Sequence, residues 1–510
     1  MPNTMKLGHC HLLPSLLAFV CAVALGCVDG VTGIGDGGPA IADAAVRDLG
    51  VADTGENETH TLEVQIGTRH VTLEGDMFVP ADVSGIRVEV TSFNGSPPII
   101  GRAAADGLIV VDGVPQGVRT IRVDRPGMSP EVFVGSATRV ELVTTVLGRA
   151  VPGPTDATTL DITVELASPW SNTDTLEVRS PGTGFFGGDA FGMVSEGATT
   201  MTGLGGRWPV DRPLARGASD DDLYLFRFGY ERLPDRERFA VTEMGQIEDL
   251  RLTDGANHAL TATLLPANDE LAVDVIWDQS SLFPLGPLDP RPNGDPSAID
   301  ALIWTVGADR HGLYGAGVNV VLDFADGQTL RSTHFVTPAP PPGWSVHLTS
   351  SLSMSVALPL PAGGIIPANV VASRNLSVED VPMNHRVPVG LTWATGLSVD
   401  GVASWQIEAL RDLSVTPTLA WTAPGLGTVR GYAVVLHEVE MGGFPQAVVV
   451  GTIYTDRNDV RVPQGVLRAG GLYFFEVVAS DAVELDRTPY RFASGESRSS
   501  MVSNVFSVVP

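Results

Sequence analysis

Three kinds of side chain in this sequence have types and spacing that could do chemistry: a cysteine thiol, two groups of aspartates and two tryptophans beside turns. Cys27 directly follows the apolar residues 12–26, LLPSLLAFVCAVALG, and Lys6 lies upstream of them. A positive residue followed by a short apolar run that ends in small residues is the pattern of a secretory signal peptide. The run is shorter than the roughly 20 residues that a membrane-spanning helix needs. The sequence therefore predicts that residues 1–26 are a signal and that the protein is exported.

The position of Cys27 at the cleavage point resembles the lipobox of bacterial lipoproteins, in which this thiol receives a diacylglyceryl group. Residues 24–26 are Ala-Leu-Gly, whereas the family usually has leucine three positions before the cysteine. The alternative is an ordinary signal peptide that is cut nearby, with Cys27 incidental. The other two of the three cysteines lie inside the signal, so lipidation would consume the one thiol that remains. The resemblance implies stable anchoring by two acyl chains, and Val28 in place of an aspartate favours the outer membrane.

Two groups of aspartates could bind calcium, which takes six to eight oxygen ligands from flexible loops. The first group is Asp220, Asp221 and Asp222, which precede a predicted strand, and the second is Asp323 with Asp326 in a turn. Neither group has the D-x-D-x-D-G spacing of a calcium loop. We therefore expect solvated acidic loops with no cofactor, and keep calcium as the alternative.

Two tryptophans beside turns are candidates for a glycan-binding surface. Trp208 lies in GGRWPVDRP and Trp344 in PPPGWSV, whereas most of the other tryptophans fall on alternating strands, where they are expected in the core. Exposure of Trp208 and Trp344 would favour ligand binding by the middle of the chain, and their burial would count against it.

Motifs for catalysis are missing from the sequence. It contains no G-x-S-x-G. Six histidines of the mature chain show neither H-x-H nor H-E-x-x-H spacing, so that neither a nucleophilic triad nor a zinc site is supported: His258, His311, His334, His347, His385 and His437. A glycoside-processing enzyme would need two carboxylates on either side of a cleft, and sequence cannot test that separation. We predict a protein that is not an enzyme.

The charge of the chain is strongly acidic, with 59 Asp and Glu against 32 Lys and Arg and a net charge of −27. Lys6 is the only lysine. This balance argues against nucleic acid as a partner, because phosphates require neutralisation by basic side chains. Solubility of an exported protein accounts for the acidity. The expected partners are therefore the membrane, which the lipid would enter, and either an envelope protein or a glycan.

The fold class follows from turn residues and alternation. Gly and Pro number 57 and 37, and many short apolar–polar stretches lie between turns, so the sequence predicts an all-β protein of tandem β-sandwiches. Residues 27–60 are rich in Gly, Ala and Asp without aromatic residues, and they are expected to be a disordered tether.

Residues 61–148 are predicted to form the first sandwich. The stretches LEVQIGTRHVTLEG and GIRVEVTSFNG alternate apolar and polar residues. After them come a DG turn at Asp106-Gly107, a short strand, a GVP-x-G turn and another strand, which together make a hairpin-rich unit. This region resembles the prealbumin-like (carboxypeptidase regulatory-like) module, and the resemblance implies a small antiparallel sandwich without chemistry of its own.

Residues 149–400 form a middle β region without a recognised family. Its strands are separated by turns such as SPGTG and PNGDP, and a helical pattern is conceivable only around Ile299–Ile303. The region is one large domain or two smaller ones, and a break near residues 265–295 would suit the proline-rich stretch there.

The C-terminal residues 401–510 resemble a fibronectin type III domain, an immunoglobulin-like sandwich. The residues that carry the resemblance are Trp421, Pro424, Tyr432, Leu467, Gly470, Tyr473, Phe475, Val477 and Ala479. It implies an inter-sheet core of Trp421, Tyr432, Leu467 and Phe475. It also implies a tyrosine corner, in which the Tyr473 hydroxyl bonds to the backbone a few residues upstream.

These expectations together predict a lipid-anchored, non-catalytic envelope protein that acts as a structural or interaction module, in adhesion or as a scaffold. The alternative is a surface protein that binds a ligand, either a glycan or a ligand held with calcium.

Overall fold

The computed structural model describes the following residues: 59–72, 75–92, 96–187, 194–218, 221–232, 237–267, 269–278, 299–306, 319–321, 330–338, 341, 344–377, 385–388, 390–404, 406, 410, 412–442, 445–481 and 497–509. Within them the regular elements are strands and one short 3-10 helix, Pro181–Thr183, so the predicted all-β fold class is confirmed. Cys27, the predicted signal and nearly all of the predicted tether lie outside the described residues.

The first sandwich spans residues 59–147. Its strands are β1 (Thr59–Thr72), β2 (Gly75–Pro80), β3 (Arg87–Ser92), β4 (Ile99–Ile100), β5 (Arg102–Ala103), β6 (Leu108–Pro115), β7 (Arg119–Asp124), β8 (Glu131–Gly135) and β9 (Arg139–Leu147). The predicted DG turn lies before β6, where Asp106 and Gly107 both have positive φ, 59° and 72°. A Cβ on Gly107 would lie 2.3 Å from the Ile66 carbonyl oxygen, which explains the glycine.

The middle region contains two further sandwiches. The second sandwich, residues 159–263, consists of β10 (Thr159–Glu165), β11 (Thr175–Ser180), β12 (Phe185–Gly187), β13 (Thr200–Arg207), β14 (Leu223–Arg232), β15 (Glu237–Ile247) and β16 (Asn257–Thr263). After the short β17 (Leu265–Pro266), the third sandwich, residues 269–388, consists of β18 (Asp269–Asp278), β19 (Ile299–Val306), β20 (Asn319–Val321), β21 (Leu330–Pro338), β22 (Ser345–Pro359), β23 (Ile365–Ser377) and β24 (His385–Pro388). Residues Ile299–Ile303 are therefore strand, and the helical pattern considered there is wrong.

These three sandwiches share one strand topology. In each, the first strand lies antiparallel to a middle strand and parallel to the last one, as in β6-β1-β9, β13-β10-β16 and β21-β18-β24. The opposing sheets run β4-β3-β7-β8, β12-β11-β14-β15 and β20-β19-β22-β23. The chain thus contains a threefold structural repeat, which its sequence does not display as a repeated motif.

The C-terminal sandwich spans residues 395–508 and has a different topology. Its strands are β25 (Thr395–Val399), β26 (Val402–Ala403), β27 (Thr418–Thr422), β28 (Gly431–Met441), β29 (Pro445–Thr455), β30 (Asp459–Arg461), β31 (Leu472–Ser480), β32 (Ser497–Val502) and β33 (Phe506–Ser507). One sheet runs β26-β25-β27-β30, and the other runs β29-β28-β31-β32. This is a fibronectin type III-like arrangement. Its first strand precedes residue 401.

The core of the C-terminal sandwich is built as its sequence predicts. Trp421, Tyr432, Leu467 and Phe475 are all buried, and the Trp421 and Tyr432 rings meet edge to face with centroids 5.1 Å apart. The fully buried Tyr473 forms the tyrosine corner, because its hydroxyl accepts a 2.9 Å hydrogen bond from the Arg468 backbone N–H. The same hydroxyl donates to the Arg468 carbonyl at 3.3 Å.

The four sandwiches are joined edge to edge through strand pairing. β15 of the second sandwich pairs with β20 of the third, and β23 of the third pairs with β32 of the C-terminal sandwich. β8 of the first sandwich pairs in parallel with β29 of the C-terminal sandwich. One continuous sheet therefore runs through all four sandwiches, and it ends at the very short strands β4 and β12.

Replacing Tyr473 by Phe tests the tyrosine corner. The variant loses both hydrogen bonds to Arg468 and leaves a backbone N–H without its partner, which should lower the free energy of unfolding by about 1–3 kcal/mol. Urea denaturation measures this change. Tyr224→Phe is the matched control, since the Tyr224 hydroxyl has no hydrogen bond to another described residue, and it should change stability by much less. Equal losses in the two variants would contradict this role.

Candidate functional site

Asp221, a candidate calcium ligand, lies just before β14 and is fully buried. One carboxylate oxygen forms an ion pair with Arg149, from the segment that connects the first and second sandwiches. The other accepts hydrogen bonds from the backbone N–H of Arg216 at 2.7 Å and of Ala218 at 3.1 Å. Both oxygens thus have partners inside the protein, and this carboxylate fixes the connecting segment rather than facing a solvated loop.

Asp222 is half-buried and also has internal partners. It accepts hydrogen bonds from the Gln246 side chain at 2.6 Å and from the Asp249 backbone N–H at 2.8 Å. Burial, with the Asp222 and Glu248 carboxylates nearby, raises the pKa of Tyr224 to about 12, so this phenol stays protonated at neutral pH.

The other three candidate ligands, Asp220, Asp323 and Asp326, lie outside the described residues. Within the described part of the chain, no group of three or more His, Cys, Asp or Glu is positioned to hold a metal ion.

Trp208, one of the two candidates for an exposed glycan-binding surface, has no accessible surface and lies in the core of the second sandwich. Its ring stacks on Phe185 with centroids 4.5 Å apart, and its indole N–H donates to the Pro213 carbonyl at 3.1 Å. This burial counts against Trp208 as a glycan-binding surface, because the turn after it folds back over the ring and its Pro213 carbonyl accepts the indole hydrogen bond.

Trp344 is 7% exposed and packs against β14 of the second sandwich. Its ring meets Tyr224 edge to face at 5.2 Å and lies 5.8 Å from the ring of Phe226. The burial of Trp344 also counts against a glycan-binding surface. Local sequence does not reveal this contact, because Tyr224 and Phe226 belong to a distant strand of the neighbouring sandwich.

The densest polar cluster among the described residues was not anticipated from the sequence. Arg227 on β14 lies between Asp174 and Glu243, and all three side chains are 5% exposed or less. The guanidinium bonds Asp174 through Nε at 2.9 Å and Glu243 through Nη1 at 2.6 Å. It also stacks over Trp170 at 5.4 Å from the ring centroid. The one sequence signal was an arginine inside the apolar run LYLFRFGY.

This cluster stabilises the loop that connects β10 to β11. Arg227 also donates to the Ser168 and Pro169 carbonyls at 2.9 and 2.6 Å. Glu243 accepts from the backbone N–H of Ala167 and Ser168 at 3.0 and 2.9 Å. Both carboxylates are shielded from solvent and bonded to the same arginine, so neither faces a cleft that a glycoside substrate could enter.

Comparison with known proteins identifies no family. No protein-family model matches the chain, and no curated protein matches it. Among solved structures, the Bacillus anthracis TIE protein aligns at 10% identity and a TM-score of 0.13, over 65% of this chain and 50% of that protein. The alignment therefore spans about half the length of the TIE protein.

Two further solved structures align over most of the chain. They are the chicken CNTN1 FN1–FN3 domains (9% identity, TM-score 0.13, 88% of this chain and 96% of that one) and a tetra-tandem repeat in the extending region of a large adhesion protein (12%, 0.11, 86% and 98%). Superpositions at these TM-scores do not establish a common arrangement, so nothing is transferred from these proteins.

The fold and the contacts above define the class of this protein as an all-β chain of tandem sandwiches. Asp221, Asp222 and Trp208 form hydrogen bonds within the protein, and the Trp344 ring packs against Tyr224 and Phe226. Within the residues that the structure describes, no helix is long and apolar enough to cross a bilayer.

Replacing Arg227 by Met tests the buried cluster. The change keeps most of the volume but leaves two buried carboxylates without their counter-charge, which should destabilise the second sandwich by about 3–5 kcal/mol. Arg102→Met is the matched control, because the Arg102–Asp112 pair is more than half exposed and should contribute under about 1 kcal/mol. Urea denaturation of both variants gives the comparison, and equal losses would contradict the buried role.

Replacing Asp221 by Asn separates an ion pair from a calcium site. Removing one partner of the buried Arg149–Asp221 pair should lower the free energy of unfolding by about 3 kcal/mol. The loss should be the same in calcium and in chelator, and chelation should leave the melting temperature of the unchanged chain as it is. A drop in that melting temperature on chelation, removed by Asp221→Asn, would instead assign the carboxylate to calcium.

Proposed function

We propose that this protein is a lipid-anchored, non-catalytic component of the bacterial envelope that acts as a structural or interaction module. The observation that carries the proposal is the continuous sheet through all four sandwiches, which makes a single body out of the tandem modules. Such a body is suited to presenting a binding surface at the envelope or to bridging two envelope components. It commits its strand edges to holding the domains together rather than to shaping a reaction site.

The anchor in this proposal is Cys27. The described structure begins with β1 at Thr59, so the last two residues of the tether expected in residues 27–60 belong to that strand, and the proposed tether is residues 27–58. Export and attachment to the outer membrane follow from the apolar run before Cys27 and from Val28, as argued from the sequence. The proposal also keeps the resemblance of the first sandwich to the prealbumin-like module. The structure departs from the antiparallel sandwich that this resemblance implies, because β1 and β9 pair in parallel.

The non-catalytic part rests on the environment of the polar side chains. Asp174 and Glu243 share Arg227 away from solvent, and Asp221 is taken up by Arg149. The partner is a protein of the envelope, and the acidic charge counts against nucleic acid. The glycan-binding alternative loses its two named platforms, since Trp208 and Trp344 are both buried.

Replacing Cys27 by Ser tests the anchor. The full chain, expressed in a bacterial host that processes lipoproteins, should incorporate radiolabelled palmitate and partition into detergent, and Cys27→Ser should abolish both. The matched control is Cys21→Ser, which changes a cysteine within the signal and should leave both unchanged. Equal labelling of Cys27→Ser would contradict the anchor. Hydrolysis of any substrate in a broad panel by the purified chain would contradict the non-catalytic part.

A further inference from the structure

The contact between β8 and β29, called the clasp below, joins the first sandwich to the C-terminal one. Four residue pairs align in parallel, from Glu131 opposite Thr452 to Val134 opposite Thr455. Two further hydrogen bonds hold the two strands together. The Thr452 backbone N–H donates to the Pro130 carbonyl at 3.1 Å, and the Ser129 hydroxyl donates to the Val449 carbonyl at 2.7 Å. All five residues of β8 are buried.

Successive side chains of the clasp enter two different cores. Val132 and Val134 pack into the core of the C-terminal sandwich. Phe133 points to the opposite face and packs into the core of the first sandwich, where it stacks on Tyr454 at 5.0 Å between ring centroids. This alternation follows from the twofold side-chain period of a strand. Each sandwich therefore completes the apolar interior of the other, and the clasp is a specific interface.

The clasp differs from the other two strand pairings between sandwiches because the domains that it joins are far apart along the chain. Ser129 and Val449 are 320 residues apart. The β15–β20 and β23–β32 pairings join sandwiches that follow one another, so a short connection holds those pairs together in any case. Nothing in the local chain ties β8 to β29. The clasp is thus a docking interface between two surfaces that happen to belong to one chain.

We infer that β29 also docks β8 of a second copy of this chain, by an exchange that replaces the contact between β8 and β29 within one chain. The inference names a partner for the interaction role proposed above and does not depend on the lipid anchor. A reciprocal exchange uses the same four residue pairs twice and forms a closed dimer with twofold symmetry. Strand addition of this kind takes its affinity from backbone hydrogen bonds and its specificity from alternate side chains.

The test uses two full-length variants that each break the clasp from one side. Val132→Asp places a carboxylate of the first sandwich against the core of the C-terminal sandwich. Tyr454→Asp places a carboxylate of the C-terminal sandwich against the core of the first sandwich. A desolvated carboxylate opposes docking strongly. Because each altered side chain lies in the other sandwich's core, each variant keeps the apolar core of its own sandwich.

The variants complement each other only in trans. Each alone should be a monomer by light scattering after size exclusion, because neither can form the clasp with itself. In an equal mixture, β8 of the Tyr454→Asp chain should dock on β29 of the Val132→Asp chain and give a 1:1 heterodimer with twice the mass. A mixture that contains monomers alone would overturn the inference.

The matched control is Val448→Asp, which changes an exposed residue of β29 before the clasp. Its own clasp stays closed, so mixing it with Val132→Asp should give no heterodimer, and a heterodimer there would overturn the assignment of the surface. The unchanged chain gives an independent measurement. Tagged and untagged copies unfolded together and refolded at high concentration should yield mixed dimers on the affinity resin, whereas recovery of tagged chains alone would contradict exchange.

Discussion

The structure depends on pairing the edges of its sheets. A sandwich built from open sheets presents backbone N–H and C=O groups along each edge, and an unpaired edge is a template for aggregation. Here β8, β15 and β23 occupy equivalent positions in the three repeated sandwiches, and each is paired by a strand of another part of the chain. The continuous sheet ends at strands of two and three residues, which offer little template. This constraint accounts for the strand pairings that join the sandwiches.

Buried arginines hold the loops that the sheets leave unsupported. Arg119 is 1% exposed and donates to the carbonyls of Pro115 and Gly117 at 3.0 and 3.2 Å, and to that of Ser136 at 3.1 Å, which joins two turns of the first sandwich. Arg227 does the same for the crossing between β10 and β11, and Arg149 for the segment between two sandwiches. A planar guanidinium with five donors suits this role better than an ammonium group, and Lys6 is the only lysine in the sequence.

Local pattern predicted the C-terminal sandwich well and the polar sites poorly. The core around Trp421 and the corner made by Tyr473 follow from residues whose partners lie within one sandwich, so their spacing along the chain carries the information. Asp221 and Trp344 were misjudged because their partners, Arg149 and Tyr224, belong to distant segments. A carboxylate before a strand or an indole after a proline-rich turn has the same local sequence whether a distant group covers it or water does.

Residue order along the chain is enough to set the alternation that makes strands, the turns between them and the apolar face of each sheet, because these depend on neighbours within a few residues. Three features appear only once the chain is folded: three sandwiches share a topology, the middle region contains two of them, and the first sandwich closes onto the last. They appear so late because strand edges pair through backbone groups that are common to every residue. The choice of partner therefore leaves little trace in residue type, and it emerges only when Phe133 and Tyr454 meet across the completed sheet.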